Sequence, residues 1–213
     1  RYTFSFGHYF DPELLGFASL RVLNQEVLTP GSAFQPRTYP HVDILNILLQ
    51  GEAEYRDSNG NHTRAKAGEV LLLSAQQNVS YSEHNISEST PLTRLQLWFN
   101  ACPSRENNAL QRLALGTAPT TLVASPEGEG NSLQLRQQVW VHHVQLAANE
   151  QHSFQLNGNR AYFQVIHGAM DAVTPHKNAT TLQCGDGAFI PQEKQLTISA
   201  KSPLRALLID LVA

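Results

Sequence analysis

Cysteine is nearly missing from this chain of 213 residues, which has only Cys102 and Cys184. Two thiols are too few for a disulfide framework, so free thiols in a reducing compartment, the cytoplasm, are the expectation. Charge of one sign is lacking as well. Fifteen Lys+Arg stand against 18 Asp+Glu, a net charge of −3, and no basic run marks a nucleic-acid or membrane footprint. Long apolar runs are absent. Ile44–Leu49 and Ala206–Val212 are the longest, each interrupted by a polar residue (Asn46, Asp210), and a membrane span needs roughly 18. No secretory leader, Gly-rich phosphate loop or G-x-S-x-G elbow is found, which leaves nucleotide-dependent and serine-hydrolase readings without support. Neither a nucleic acid nor a membrane is expected as partner, and a monomer is expected.

What is present is β-rich. Short apolar or alternating runs recur at Phe17–Leu23, Ile44–Leu49, Val70–Leu73, Leu92–Phe99, Leu133–Leu146, Ala161–Ile166, Gly187–Ile190 and Leu204–Leu211. Asn59-Gly60 and Asn157-Gly158 read as tight hairpin turns, since both residue types tolerate positive φ. An internal repeat follows. Gly51 and Gly68 share the 17-residue spacing of Gly168 and Gly185, and each half closes on a Pro-led strand, from Pro91 and from Pro203. The reading is all-β: two tandem cupin-like small β-barrels, residues 1–100 and 133–213, joined by a linker over 101–132. Ser104 as N-cap, with Leu110, Leu113 and Ala114 at helical spacing, predicts a short helix in that linker.

The opening text YTFSFGHYFDPELLGFASLRVLNQEVLTPGSAF, continued by EYRDSNGNHTRAKAGEVLLLSA and SYSEHN, resembles the pirin family of two-domain cupins. PRTYP, SYSEH, ACP and PLRALLIDL point to one particular subgroup of these bicupins. The resemblance implies a metal in the first barrel and, in some members, a dioxygenase acting on flavonols such as quercetin. It places three His and one Glu ligand on Arg37, Tyr39, Tyr81 and Glu83.

Only the carboxylate survives in that set. A guanidinium has no lone pair to offer, and a phenol ligates only as phenolate, against an ordinary pKa near 10. No catalytic residue, no metal ligand and no cofactor is therefore expected. The alternative is a quercetin 2,3-dioxygenase type enzyme holding Fe, Mn, Ni or Zn through Glu83 with His41 or the tyrosines. Strand alternation turns His84 away from Glu83 and sets His142 and His143 on opposite faces, so neither makes a ligand pair. Two readings of the four positions stay open. If Glu83 faces Arg37, they form a closed polar network, the simpler outcome because a buried Arg needs a partner. If Glu83 turns aside, the pocket suits a small anion or a carboxylate-bearing ligand.

Cys102 is a second candidate, as a redox thiol. Arg105 and the expected helix start would lower its pKa and favour reversible oxidation to sulfenic acid. A small apolar side chain filling a gap is the plainer alternative. Cys184 lies beside Asp186, whose charge disfavours a thiolate. A redox-responsive or small-ligand-sensing protein without quercetin dioxygenase activity is the functional expectation.

Overall fold

A computed structural model describes residues 1–4, 6, 11–176 and 179–212. The chain divides into two compact units, Arg1–Leu115 with Leu133–Gln137, and Gly116–Ser132 with Gln138–Ala213. Among the described residues, no helix is long and apolar enough to cross a membrane.

The first unit holds β1 (Leu20–Leu28), β2 (Ala33–Thr38), β3 (Val42–Gln50), β4 (Glu52–Asp57), β5 (His62–Lys66), β6 (Glu69–Ser74), β7 (Ser80–Asn85), β8 (Leu92–Asn100) and β9 (Leu110–Ala114). One sheet runs β1-β8-β3-β6-β9 and the other β2-β7-β4-β5. Period-two alternation sends one side of each strand between the sheets, where Leu28, Leu48, Ala53, Tyr55, Ala65, Leu71 and Leu92 form an apolar cluster. The Asn59-Gly60 turn forms as expected: Gly60 takes φ +86°, and Asp57 Oδ1 accepts the Asn59 and Asn61 amides at 2.9 and 3.0 Å.

Past β10 (Thr120–Ser125) and β11 (Leu133–Gln134), the chain forms β12 (Val139–Leu146), β13 (Gln151–Gln155), β14 (Arg160–His167) and β15 (Ala169–Val173). Then come β16 (Ala179–Gln183), β17 (Gly187–Pro191), β18 (Gln195–Ala200) and β19 (Leu204–Leu211). In the second unit one sheet follows β10-β12-β19-β14-β17 and the other β13-β18-β15-β16, around a core that includes Phe154, Phe163, Met170, Leu196 and Ile198.

The repeat has a physical counterpart. Gly51 and Gly168 both take left-handed φ, +81° and +85°, which L side chains rarely adopt. A Cβ on Gly51 would lie 2.5 Å from the Pro91 carbonyl oxygen, and one on Gly168 would lie 2.2 Å from that of Pro203. Each glycine thus lets a hairpin pass against the Pro that starts its unit's closing strand.

Two local expectations are corrected. Residues 104–114 form no helix among those described: Leu110–Ala114 is strand β9 on the open edge of β6. Gln111 and Leu113 are half-buried while Leu110, Arg112 and Ala114 are exposed, a period of two that outweighs the weak helical spacing. Asn157-Gly158 is not a hairpin either, because β13 pairs with β18 while β14 pairs with β17 and β19. Gly158 is required there by close approach: its Cβ would sit 1.9 Å from the Leu211 carbonyl oxygen.

Candidate ligand site in the first barrel

The antiparallel β2–β7 pair sets Arg37 opposite Tyr81, and β4–β7 sets Tyr55 opposite Glu83. Tyr39, Tyr81 and Trp98 pack on the apolar cluster Val42, Ile44, Leu73 and Ala75. The Tyr39 and Tyr81 ring centroids are 6.0 Å apart, and those of Tyr39 and Trp98 are 5.1 Å apart. Over these rings lies the Arg37 guanidinium, 4.7 Å from the Tyr39 centroid, 5.0 Å from Trp98 and 5.5 Å from Phe6. Such spacing falls within cation–π range. Arg37 itself is exposed, since β2 is a sheet edge. It therefore does not carry the burial that would demand a carboxylate, and among the described residues none pairs with it.

Glu83 is engaged elsewhere, with a residue the four-position reading overlooked. Arg94, 2% exposed, donates from Nη2 to Glu83 Oε1 at 2.8 Å and from Nε to Oε2 at 3.0 Å. Its Nη1 reaches Glu26 Oε1 at 3.0 Å, and the Tyr55 hydroxyl donates to Glu83 Oε2 at 2.7 Å. Burial opposes the charge on Arg94, yet the Glu83 carboxylate beside it holds its pKa above the ordinary value. Burial, then the Glu83 charge, pushes the Tyr55 phenol well above its ordinary range. A sequence signal did exist: Arg94 shares the inward register of β8 with Gln96 and Trp98, where an unpaired charge would be costly. Gln96 Nε2 donates to Asn46 Oδ1 at 2.9 Å, and Trp98 Nε1 donates to Gln96 Oε1 at 3.0 Å, completing a polar layer.

Alternation turns His84 away from Glu83, to a 2.8 Å contact between its Nε2 and Ser82 Oγ, and His41 is exposed. Behind the tyrosines the barrel is nearly filled. The space between Tyr39, Asn46, Tyr55, Tyr81 and Glu83 is about 20 Å³, room for one water. Outside it, Tyr39 also borders a cavity of about 290 Å³ with Pro40, His41 and Gln76. In the second barrel, Phe154 opposite Leu196 takes the place of Arg37 opposite Tyr81, so the matching interior is apolar.

These four positions do not fit a divalent metal. Arg37 brings a positive charge and no lone pair. Burial raises the pKa of the Tyr39 and Tyr81 phenols, keeping them protonated at neutral pH. Both Glu83 oxygens already accept hydrogen bonds, and among the described residues no group of three or more His, Cys, Asp or Glu gathers as a metal cluster would.

Cys102 is half-buried, its amide donating to the Arg136 carbonyl at 2.7 Å and its Sγ 3.2 Å from Ser104 Oγ. The hydrogen bond from the Ser104 side chain, then that from its backbone, lowers the thiol pKa, and Arg105 adds a smaller share. The expected helix start contributes nothing, because residues 102–109 are turn and coil. Cys184 is exposed, with its thiol directed at the Ile166 carbonyl at 3.2 Å.

The Pirin family model matches residues 1–99, and that of the quercetinase C-terminal cupin domain matches residues 122–211. Over 211 residues the chain is 67% identical to "Pirin-like protein YhaK" of Escherichia coli (strain K12), covering 99% of this chain and 91% of that protein. It is 32% identical over 216 residues to "Quercetin 2,3-dioxygenase" of the same organism, covering 99% and 90%. The crystal structure of YhaK from Escherichia coli superposes with a TM-score of 0.91 at 66% identity, over 100% of this chain and 94% of that one. Bacterial pirin YhhW from Escherichia coli in complex with nickel(II) gives 0.92 at 30% identity, over 99% and 90%. That complex corrects the expectation of no cofactor, which was drawn from four positions alone: a relative with this fold does bind a metal. Both barrels and nearly the whole length being matched, the chain belongs to the pirin family.

Proposed function

We propose that this pirin-family bicupin senses a small anion or carboxylate-bearing ligand at Arg37, with Cys102 as a redox-responsive thiol in a cytoplasmic setting. In this reading Arg37, Tyr39, Tyr81 and Glu83 form a degenerate metal site without quercetin dioxygenase activity. The observation that carries it is the division of charge: Glu83 is engaged by Arg94 and Tyr55, while Arg37 lies exposed on aromatic rings. A carboxylate brought to that ledge meets a fixed, planar cation whose carbon face is already stacked and whose N–H edges can form a two-point contact. Tyr39 and Tyr81 supply neutral hydroxyls nearby. The Tyr81 oxygen accepts the Gln76 amide at 3.1 Å, which leaves its own proton to donate.

Cys102 adds a second input. Its thiolate attacks one oxygen of a peroxide, the O–O bond breaks, and hydroxide leaves, giving a sulfenic acid. The lowered pKa raises the thiolate fraction available for that step.

Titration with acetate and with inorganic phosphate, followed by Trp98 fluorescence, tests the ligand reading. Arg37→Ala is expected to weaken binding about tenfold or more; undiminished binding sinks the proposal. Mild peroxide followed by mass mapping is expected to modify Cys102 before Cys184, and the reverse order, or no modification, removes the thiol role.

A metal-dependent dioxygenase is the second reading, supported by the 32% identity to a quercetin 2,3-dioxygenase and by the nickel(II) complex of a relative. Elemental analysis separates the two. Stoichiometric Fe, Mn, Ni or Zn that is lost in Glu83→Ala would decide for the enzyme.

A further inference from the structure

We infer that a slot between the edge strands β5 and β9 of the first barrel binds an aromatic monocarboxylate. Each of these strands ends its sheet, so the two sheets part there, leaving a cavity of about 370 Å³. That volume lies within the range of small-molecule sites. Its apolar lining comes from the Tyr55 and Tyr81 rings with Leu73 and Leu110. Leu110 is 43% exposed, a large side chain at the rim with no core to fill.

The polar groups at the rim select the sign of the ligand. Arg56 donates from Nε to Glu54 Oε1 at 2.6 Å, and among the described residues neither Nη group has a partner, so both remain for an anion. His62 sits beside it, exposed, with Nδ1 3.6 Å from Glu54. The lining's one acid, Asp57, is already occupied: it accepts the Asn59 and Asn61 amides, and its Oδ2 takes Asn61 Nδ2 at 2.8 Å. What the slot offers a guest is therefore donors at the rim over an aromatic and leucine floor. That pattern fits a flat ring bearing one carboxylate.

The second barrel carries the same opening with different chemistry. Tyr55, Thr63, Leu73 and Gln76 correspond, each 117 residues on, to Ala172, Thr180, Ile190 and Glu193, which line a cavity of about 770 Å³. There Ala172 replaces the Tyr55 ring, Phe189 supplies a different one, and the Glu193 carboxylate stands in place of the Gln76 amide. The recurrence makes the slot a property of the fold; Arg56 and His62 in the first lining, against Glu193 in the second, suit the first to an anion.

The slot shares Tyr81 with the Arg37 ledge, but Arg37, Tyr39 and Trp98 do not line it. Arg37→Ala and Leu110→Glu, each outside the shared residue, tell a failure of one site from a failure of the other. Titrate the whole ¹⁵N-labelled chain with 2-naphthoate, with 2-naphthalenemethanol as the uncharged probe and acetate as the ringless one. Saturable shifts at Thr63, Gln76 and Leu110 are expected for naphthoate, with both controls weaker by about tenfold. Leu110→Glu should weaken naphthoate by about the same factor, while Arg37→Ala changes it less than about twofold. Should Leu110→Glu not fold, Thr63→Trp fills the slot from the opposite edge and makes the same prediction. The inference is overturned if shifts do not saturate by about 10 mM, if they centre on Tyr39 and Trp98, or if the folded slot variant binds as well as the native chain.

Discussion

Arg94 and Glu83 form a buried two-point ion pair, with Nη2–Oε1 at 2.8 Å and Nε–Oε2 at 3.0 Å, between β8 of one sheet and β7 of the other. The same guanidinium reaches Glu26, so one cation serves two carboxylates while Tyr55 donates to the first. This pair sets the character of the site. It engages both Glu83 oxygens, while Arg37 lies exposed on aromatic rings.

Truncating Arg94 should therefore be severe. Arg94→Ala leaves two carboxylates without their cation, and about 3–5 kcal/mol of destabilisation is expected. Arg94→Lys should recover only part, because an ammonium cannot make the two-point contact. Urea unfolding of the single variants and of a Glu83→Met, Arg94→Met double variant checks this: the double should be milder than Arg94→Ala alone. A double variant at least as unstable would place the loss in packing.

Acid should weaken the second unit in a defined window. Burial holds His142 at about 4, with the His152 charge adding a little, and burial with the Arg205 charge does the same for His143. His143 Nε2 accepts from Arg205 Nε at 2.9 Å, a contact that requires the neutral ring. Both folded values lie below the unfolded value near 6.5, so the unfolded chain binds more protons between them. Stability from these groups is full above about pH 6.5 and is lost as pH falls towards about 4, on the order of 3 kcal/mol per ring at most. Urea unfolding at pH 7.5 and pH 4.5 measures it. His143→Gln should flatten part of the slope, and an unchanged slope would locate the acid lability elsewhere.

Ser104 should control the Cys102 thiol. In Ser104→Ala the pH profile of iodoacetamide labelling at Cys102 should move upward, towards that of an ordinary thiol, because the hydrogen bonds that favour the thiolate are the largest causes of its lowered pKa. Arg105→Ala should move it less. A larger shift in the Arg105 variant would make charge, not hydrogen bonding, the cause.

The two hairpin glycines should behave alike. Gly51→Ala and Gly168→Ala each put a Cβ within 2.5 Å of a proline carbonyl at left-handed φ. Each is expected to cost about 2 kcal/mol or more, read as lowered melting temperature. A neutral Gly168→Ala would mean that the second hairpin relaxes where the first cannot.

The sequence by itself determined the architecture. Period-two apolar runs, Gly51–Gly68 against Gly168–Gly185, and the two proline-led strands were enough to read two β-barrels, because alternation and positive-φ glycines are local requirements written into residue type. Of the four positions that the pirin resemblance marks, side-chain chemistry alone says that Arg37, Tyr39 and Tyr81 lack ordinary metal donors. It misread Leu110–Ala114, whose five residues carry too little periodicity to outweigh the hydrogen-bonding edge that β6 offers. Tertiary structure alone decided who pairs with whom. Arg94 is 11 residues from Glu83 and 68 from Glu26; the β1–β8 pairing sets Glu26 opposite it, and Glu83 reaches it from β7 of the other sheet. Arg37 stays exposed for the same kind of reason: β2 lies at a sheet edge, a fact of strand order that no single strand's sequence contains.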